Sequence, residues 1–489
     1  MNNNLPPAKK KNVKILYLHF AIAALFMFII AEFPVSESVL TAGGVVLTPS
    51  GRISLGVLFF CLYLWITEPV PFHITGCIGI LLMTFFKLDT FGNIVKLGFG
   101  SDTVVFFIGV LVLSSVITRS GLGKRVSVFI LSLTGNNTRT IILGFILTGT
   151  VVGMFITNMA VAAMLIPLAK TMLEDEGLQP GKSNFGKALM ISCAYGATIS
   201  GMPTPASAGP NIIAMNYMRD LGLNVTFIEW MTYGVPTALL MVLPCWLILT
   251  AVFKPEITHL SKTTAELKAE FKKLGPMTRN EITVTIIFAV TVSLWISSTW
   301  LTGLTGIDLA GTIPALVCTC LFFLPGITNL KWKEVSQDIA WDSIILIATG
   351  MSLGLVMHQT GAALWLSKVL LGGIVGVHPI AQIFMIVMIV EVIKIGLSSN
   401  TVTAAIIMPI MIALAQSSNI PLKSILIPTA LSLSLAFILV ASSPTNLIPY
   451  STGYFSITDM AKTGILMTIA AAVIMSLSVF SIGSLMGIY

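Results

Sequence analysis

The chain has 489 residues, of which 55% are hydrophobic and only 10% are charged, and its mean hydropathy is +0.95. A soluble protein of this length needs far more charge to cover its surface, so the composition excludes that class and predicts a polytopic membrane protein. The formal net charge of +7 does not indicate nucleic-acid binding, because Lys and Arg collect in the loops between apolar segments, where they orient membrane proteins.

The N-terminal segment carries four lysines between positions 9 and 14, ahead of the first apolar run. That run is longer than the hydrophobic part of a signal peptide. We therefore expect an uncleaved first span, with residues 1–14 in the cytoplasm. Loop charges then predict three further spans, at about 53–70, 72–88 and 102–118.

The next apolar segment, 140–168, is flanked on both sides by Lys and Arg. Because both of its ends favour the cytoplasm, we predict that it enters and leaves the membrane on the same side. This gives a re-entrant hairpin over residues 140–176, with the polar pair Thr157-Asn158 at its tip.

A second hairpin is predicted over residues 378–415, with its tip at Ser399-Asn400. Its flanks have very few charges, so it is expected to enter from the outside. A polar loop at 254–280 is rich in Lys and is predicted to be cytoplasmic. The remaining spans are about 187–217, 228–253, 281–300, 308–325, 342–358, 423–450 and 463–487, which brings the total to about eleven spans and two hairpins.

The two hairpins have similar sequences. "FITNMAVAAMLIP" (155–167) and "LSSNTVTAAIIMP" (397–409) carry Asn, Ala-Ala and Pro at the same spacing. Downstream, "SAGPNII" (207–213) matches "SSPTNLI" (442–448) in the same way. Matching halves of opposite sidedness predict an all-α inverted-topology repeat, which is the architecture of many secondary transporters.

Two proline-containing segments, 201–211 and 441–446, cannot form continuous helix. At membrane depth such breaks are tolerated where the backbone lines a cavity inside the protein. We therefore expect both breaks and both hairpin tips to meet near the midplane. Their polar or flexible residues are Thr157, Asn158, Ser207, Gly209, Asn211, Ser399, Asn400, Thr401, Ser443 and Thr445.

None of these residues is acidic, and each tip begins a new helix. Helix N-termini present unpaired N–H groups and a partial positive charge, so they favour an anion. Two related half-sites suit a substrate with two anionic ends, and a dicarboxylate is the simplest such substrate.

Lys394 lies six residues before Asn400 in an otherwise apolar arm. A cation deep in a bilayer costs about 2.5–3.5 kcal/mol on insertion scales, so it faces a cavity or a partner. Two interpretations remain open. Lys394 is either a fixed positive charge close to the binding site or one half of an intrahelical ion pair with Glu391, three residues earlier.

With paired Ser/Thr-Asn tips, each followed by an Ala-rich helix and Pro, and with later Pro-Asn breaks, the chain resembles the divalent anion/sodium symporter family (INDY and bacterial citrate/dicarboxylate carriers). The resemblance implies a homodimer with scaffold and transport domains that move as an elevator. It also implies a carboxylate site at both tips and breaks. Its residues are Thr157, Asn158, Met159, Gly209, Pro210, Ser399, Asn400, Thr401, Ser443, Pro444 and Thr445.

The same resemblance implies a division of the chain. Residues 15–120 and 281–360 would form the scaffold, and residues 121–253 and 361–489 the transport domain. The broken helices would lie at 187–217 and 423–450, and 254–280 would be a cytoplasmic loop. We expect a multi-pass protein of a bacterial plasma membrane, in contact with lipid.

Two departures from the family pattern concern sodium. Sodium-coupled members carry Ser or Thr five residues before each tip Asn, whereas this chain has Gly153 and Ile395. This loss of hydroxyls predicts that no cofactor is used, that sodium is disfavoured, and that Lys394 supplies the charge in an anion exchanger. If sodium is bound, the candidate ligands are Asn158, Thr157, Asn400, Ser398, Ser207 and Ser442.

The alternative is a sodium-coupled dicarboxylate or citrate symporter, in which backbone carbonyls complete the sodium sites. An ion channel is disfavoured, since the sequence has neither an acidic ring nor a filter-like repeat. An enzyme is also disfavoured, because no metal-binding HExxH motif, Asp dyad or Ser/His pair stands out in the apolar segments.

Overall fold

The structure is a computed structural model that describes residues 13–34, 40–223, 225–261, 269, 271–306, 311–374, 376–397, 399–418 and 420–489. Within these residues the chain is mostly α-helical, which confirms the predicted helical class. Most of the predicted cytoplasmic N-terminus and the middle of the predicted loop at 254–280 lie outside the described residues.

The first half of the described chain contains eleven α-helices, one short β-hairpin and one 3₁₀ turn. The helices are α1 Val13–Glu32, α2 Pro49–Thr67, α3 Phe72–Phe85, α4 Phe91–Phe99, α5 Asp102–Ser120, α6 Leu122–Ser132, α7 Thr138–Val152, α8 Asn158–Asp175, α9 Asn184–Ile199, α10 Gly209–Asp220 and α11 Phe227–Val252. The antiparallel strands β1 (Thr41–Ala42) and β2 (Val45–Val46) lie between α1 and α2, and the 3₁₀ turn Pro205–Ser207 separates α9 from α10.

The second half continues the helical pattern. Its helices are α12 Arg279–Ile296, α13 Ser298–Thr305, α14 Thr312–Phe322, α15 Trp332–Val335, α16 Trp341–Gln359, α17 Ala362–Leu371, α18 Pro379–Ile395, α19 Asn400–Ser417, α20 Leu422–Ser432, α21 Pro444–Tyr450 and α22 Ile457–Leu485. The 3₁₀ turns are Gly372–Ile374, after α17, and Val440–Ser442, between α20 and α21.

Several helices begin at residues that favour a helix N-terminus. The Thr48 hydroxyl accepts from the Gly51 amide, with Pro49 as the first residue of α2. At the start of α12, Thr278 and Glu281 form a reciprocal capping box. These caps satisfy amides that have no partner within the helix, so they fix where each helix starts.

Eight helical segments in the described residues are long and apolar enough to cross a membrane. They are Val13–Glu32, Pro49–Thr67, Phe91–Ser120, Phe227–Val252, Arg279–Ile296, Trp341–Gln359, Asn400–Ser417 and Ile457–Leu485. The predicted multi-pass character is therefore confirmed. The exact count of eleven spans stays a prediction, because several of them correspond to shorter or interrupted helices.

The shorter helices include three that the sequence analysis did not predict, namely α4, α6 and α17. Only Gly100 separates the last residue of α4 from Ser101, the N-cap of α5, and a Cβ added at Gly98 in α4 would clash with the backbone of Ala348 in α16. The absent side chain thus allows α4 to pack closely against α16. That contact depends on tertiary packing, which hydropathy does not reveal.

The two predicted hairpins have equivalent local structure. The second arms, α8 and α19, each contain an internal proline nine residues after their first residue, Pro167 in α8 and Pro409 in α19. The two predicted broken helices are interrupted at residues 200–208, between α9 and α10, and at 433–443, between α20 and α21. Each interruption contains a 3₁₀ turn with an extended residue on either side. The two hairpin tips and the two breaks thus interrupt regular helix at four positions, and their residues line the same cavity.

Candidate functional site

A cavity of about 790 Å³ lies where the two tips and the two breaks meet, a size that is typical of small-molecule sites. The structure brings together in its lining all eleven residues that the sequence analysis assigned to substrate. They are Thr157, Asn158, Met159, Gly209, Pro210, Ser399, Asn400, Thr401, Ser443, Pro444 and Thr445.

The first tip is held by α5. The backbone N–H of Thr157 donates to the Ser114 hydroxyl at 2.9 Å. Thr157 is the N-cap of α8, but its side chain accepts no capping hydrogen bond. The next two residues also line the cavity, and the Met159 side chain is 48% exposed. The first tip therefore faces the cavity with the hydroxyl of Thr157, the amide of Asn158 and the thioether of Met159.

The second tip is held by the segment that follows α20. The Ser399 hydroxyl caps α19 by accepting from the Val402 amide at 3.3 Å. The Asn400 side chain donates from Nδ2 to the Ser434 carbonyl, also at 3.3 Å. Its Oδ1 is buried and has no hydrogen-bond partner in the part of the chain that the structure describes. A buried acceptor of this kind is costly unless a ligand satisfies it.

The two breaks have matching backbone geometry. The residues before α10 and α21, Ala208 and Ser443, are extended, with φ/ψ of −152°/146° and −155°/140°. A Cβ added at Gly209 would lie 3.4 Å from the Thr401 hydroxyl. The first break and the second tip are therefore in close contact, so each end of the site is built from both halves of the chain.

Four helices begin at the cavity wall, α8, α10, α19 and α21. The unpaired N–H groups of their first turns make this region favourable for negative charge. The tip and break residues in the lining carry no formal charge. Charged lining residues within the described chain come instead from helix ends and loops at the mouth of the cavity: Arg119, Asp338 and Asp342, with the titratable His73 beside them.

At that mouth, Arg119 and Asp338 form a bidentate ion pair. The Arg119 Nε and Nη2 atoms donate to the two carboxylate oxygens at 2.5 and 2.8 Å, and the Ser115 hydroxyl donates to the same carboxylate at 2.5 Å. The Arg119 guanidinium, with help from Ser115, holds the pKa of Asp338 below its ordinary value. The cationic side chain in the lining is thus already neutralised by a neighbour.

Lys394 does not line the cavity as far as the described residues show. Its side chain is 2% exposed, and Nζ lies 3.4 Å from Glu391 Oε1 and 3.5 Å from the Ser432 carbonyl at the end of α20. This is the intrahelical pair that the sequence analysis left open. Nothing in this geometry brings the ammonium group to the tip residues.

The candidate sodium ligands are distributed unequally. Thr157, Asn158, Asn400 and Ser207 line the cavity. Ser442 is buried in its 3₁₀ turn and is not among the cavity residues of the described chain, and Ser398 lies outside the described residues. An oxygen-rich set therefore remains at both tips, and oxygen is the ligand that hard cations prefer.

The tips are supported by residues of other segments that were not predicted from the sequence. Ser114 holds the first tip and Ser115 holds Asp338. Two consecutive serines in the apolar helix α5 are unusual, and this could have identified them from the sequence. Ser434 holds the second tip through its carbonyl. Ser434 could not be predicted from the sequence, because this contact is made by its backbone carbonyl, which every residue has.

The fold and the cavity define a multi-pass membrane protein with a polar binding site between interrupted helices. The sequence profile of the family described as "Sodium:sulfate symporter transmembrane region" matches residues 13–489. The chain belongs to this family, which confirms the predicted relation to divalent anion/sodium symporters.

Similar proteins are found among bacterial transporters. The "Sodium-dependent dicarboxylate transporter SdcS" of Staphylococcus saprophyticus is 28% identical over 456 residues, which are 89% of this chain and 86% of that protein. The protein of the same name from Staphylococcus aureus (strain USA300) is 29% identical over 433 residues, 85% of this chain and 83% of that protein. These relatives are transporters rather than enzymes.

The fold is shared with solved structures. The Alcanivorax borkumensis YdaH transporter superposes with a TM-score of 0.54 at 14% identity, over 96% of this chain and 98% of that one. At this identity the likeness concerns the fold alone.

The prediction that sodium is not used is wrong, because the family is one of sodium symporters and the SdcS relatives are sodium-dependent. The structure shows a weakness in the argument from missing hydroxyls. A Cβ added at Gly153 would clash with the side chain of Ser200 in the neighbouring broken helix. A hydroxyl from another helix therefore occupies the space beside residue 153, so its sequence position alone was misleading.

Proposed function

We propose that this protein is a sodium-coupled symporter of dicarboxylates of the succinate, malate, fumarate and 2-oxoglutarate class. The observation that carries the proposal is the shared cavity, where two asparagine-led helix starts face each other and one amide oxygen, Asn400 Oδ1, is buried without a protein partner. The sodium-dependent dicarboxylate relatives support the same assignment.

The substrate would be held by neutral donors and helix N-termini. Each carboxylate would meet the amide and hydroxyl groups of one tip and the helix start of the facing break. Hydrogen bonds to charged groups contribute about 1.5–3 kcal/mol each, so a few of them give useful affinity. Because the donors come in two related sets, they suit two carboxylates better than one.

Sodium would neutralise the substrate. The partial positive charges at the four helix starts are balanced by negative charges at the other ends of the same helices, so they add no net charge to the carrier. The arginine in the described lining is already paired with Asp338. A dianion carried through the membrane interior without compensation is strongly disfavoured. At least two sodium ions per dicarboxylate would cancel its charge, with Asn158 and Asn400 each contributing to one cation site.

The equivalent tips, internal prolines and breaks support an inverted-topology repeat. In this proposal, segments 15–120 and 281–360 form a scaffold, segments 121–253 and 361–489 move as an elevator, and the protein is a homodimer. Lys331 and Lys333 shortly precede Asp338 in the sequence, so the positive-inside rule would put the charged mouth, like the N-terminus, on the cytoplasmic side of a bacterial plasma membrane. The cavity would then be open to the inside.

Uptake of labelled succinate into proteoliposomes tests the function. With an inward sodium gradient, vesicles without internal dicarboxylate should accumulate succinate above the external concentration. The initial rate should depend on sodium with a Hill coefficient above 1. The control replaces sodium by choline at equal ionic strength. Equal uptake in both salts, or an absolute need for internal dicarboxylate, would contradict the proposal.

A further inference from the structure

The first broken helix is closed by one buried asparagine. The side chain of Asn211 is fully buried, and its Nδ2 donates to the carbonyl oxygens of Gly201 at 2.6 Å and Thr204 at 2.9 Å. These carbonyls lie ten and seven residues earlier, after the end of α9, and both also accept from the Ser207 hydroxyl, at 2.9 and 2.7 Å. Asn211 and Ser207 together therefore satisfy carbonyls that the break removes from the helix.

The second broken helix is closed in the same way. Asn446 is also fully buried, and its Nδ2 donates to the carbonyls of Ala436 at 2.8 Å and Leu439 at 3.2 Å. The spacings are again ten and seven residues. We call Asn211 and Asn446 the loop-closing asparagines.

Each loop-closing asparagine is also bound by the other broken helix. The Ser434 hydroxyl, beside the second break, donates to Asn211 Oδ1 at 3.0 Å. The Thr198 hydroxyl, in the last turn before the first break, donates to Asn446 Oδ1 at 3.5 Å. The two breaks are thus joined by a reciprocal pair of buried hydrogen bonds, of which the one from Ser434 is the shorter.

Ser434 contacts the second tip and adjoins Gly201, which in turn adjoins the first tip. The Ser434 carbonyl accepts from Asn400 Nδ2 at 3.3 Å. On its other side is Gly201, where an added Cβ would lie 3.0 Å from Ser434 Cβ and 3.0 Å from Asn158 Nδ2. The two tip asparagines are therefore linked through neighbouring residues, Asn400 to Ser434 by a hydrogen bond and Ser434 to Asn158 by way of Gly201.

We propose that the Ser434–Asn211 hydrogen bond couples the two half-sites, so that Ser434 is a positioning residue that transmits binding at one tip to the other. This inference rests on the proposed sodium-coupled function. A buried hydrogen bond is electrostatically strong in a low-dielectric interior, and its loss leaves an acceptor unpaired. Coupling between sites is a free energy, so it appears as cooperativity among the bound ions and substrate.

The test compares Ser434→Ala with Ser432→Ala in purified protein and in proteoliposomes. Ser432 is a matched control, because it is equally buried and two residues away, but its hydroxyl donates within its own helix, to the Thr429 carbonyl at 2.7 Å. Ser434→Ala should lower the sodium Hill coefficient towards 1 and raise the KM for succinate about tenfold. Ser432→Ala should leave both near wild type.

Two further variants keep the test decisive if Ser434→Ala does not fold. Ser434→Cys keeps the shape with a weaker donor and should give an intermediate Hill coefficient. Thr198→Val removes the reciprocal bond from the other side and should lower the Hill coefficient in the same direction. A wild-type Hill coefficient in these folded variants would overturn the inference while leaving sodium-driven uptake intact. Failure of wild-type protein to show sodium-driven uptake would instead defeat the proposed function.

Discussion

Replacing Asn400 by alanine tests the second tip most sharply. The substitution removes the buried Oδ1 that has no partner in the described protein and the Nδ2 donor that contacts the Ser434 carbonyl. If the amide binds a charged ligand, its loss costs about 1.5–3 kcal/mol, which is about a ten- to 150-fold rise in KM for succinate. The maximal rate should change less, because the lost contact is one that holds substrate when it binds rather than one made only during transport.

The assay is the initial rate of labelled succinate uptake in proteoliposomes, measured against succinate at fixed sodium and against sodium at fixed succinate. Both apparent affinities should fall, since sodium and substrate share the tip. Asn93→Ala is the control. Its side chain is exposed and donates only locally, to Asp89 at 3.1 Å. A folded Asn400→Ala protein with both affinities within twofold of wild type would refute the role assigned to this tip.

Three more predictions follow from buried or paired groups. Gly153→Ser should lower the yield of folded protein, because the new side chain would clash with Ser200. The double variant Gly153→Ser with Ser200→Gly should restore the yield, measured as the monodisperse peak in size-exclusion chromatography. Lys394→Met should lower the free energy of unfolding by about 3–5 kcal/mol, because it leaves Glu391 buried without its partner. The double variant that adds Glu391→Leu should recover most of the thermal stability. Equal loss of stability in the single and double variants would contradict this pairing. Because the folded state lowers the pKa of Asp338, its ion pair stabilises the protein above the ordinary carboxyl pKa, and this stabilisation is lost as the pH falls through the lowered value. The difference in melting temperature between wild type and Asp338→Asn should therefore stay constant from pH 6 to 8.

Much of the site could be predicted because its determinants are local. Asn with Pro at fixed spacing marks a tip, and Pro with Asn marks a break, so these two repeated patterns and the family resemblance that they carry gave eleven of the residues that line the cavity. Apolar length likewise identified the long spans. In each case a short stretch of sequence contains the physical cause of the structure.

What failed depended on contacts between distant segments. Gly153 was interpreted as a missing ligand, although Ser200 fills the space beside it from another helix. Lys394 was a candidate for the site charge, yet its ammonium group pairs with Glu391 away from the cavity lining. The arginine–carboxylate pair at the mouth joins residues more than two hundred positions apart, which no local pattern indicates.

Thiol labelling of the two tips tests the central claim most directly. Single cysteines at Met159 and Thr401, in a chain whose six native cysteines are replaced and whose uptake is retained, should both react with a water-soluble thiol reagent. Both should be protected by succinate plus sodium, and much less by succinate in choline. Protection of one position without the other, or of neither, would contradict a single sodium-dependent site built by both tips.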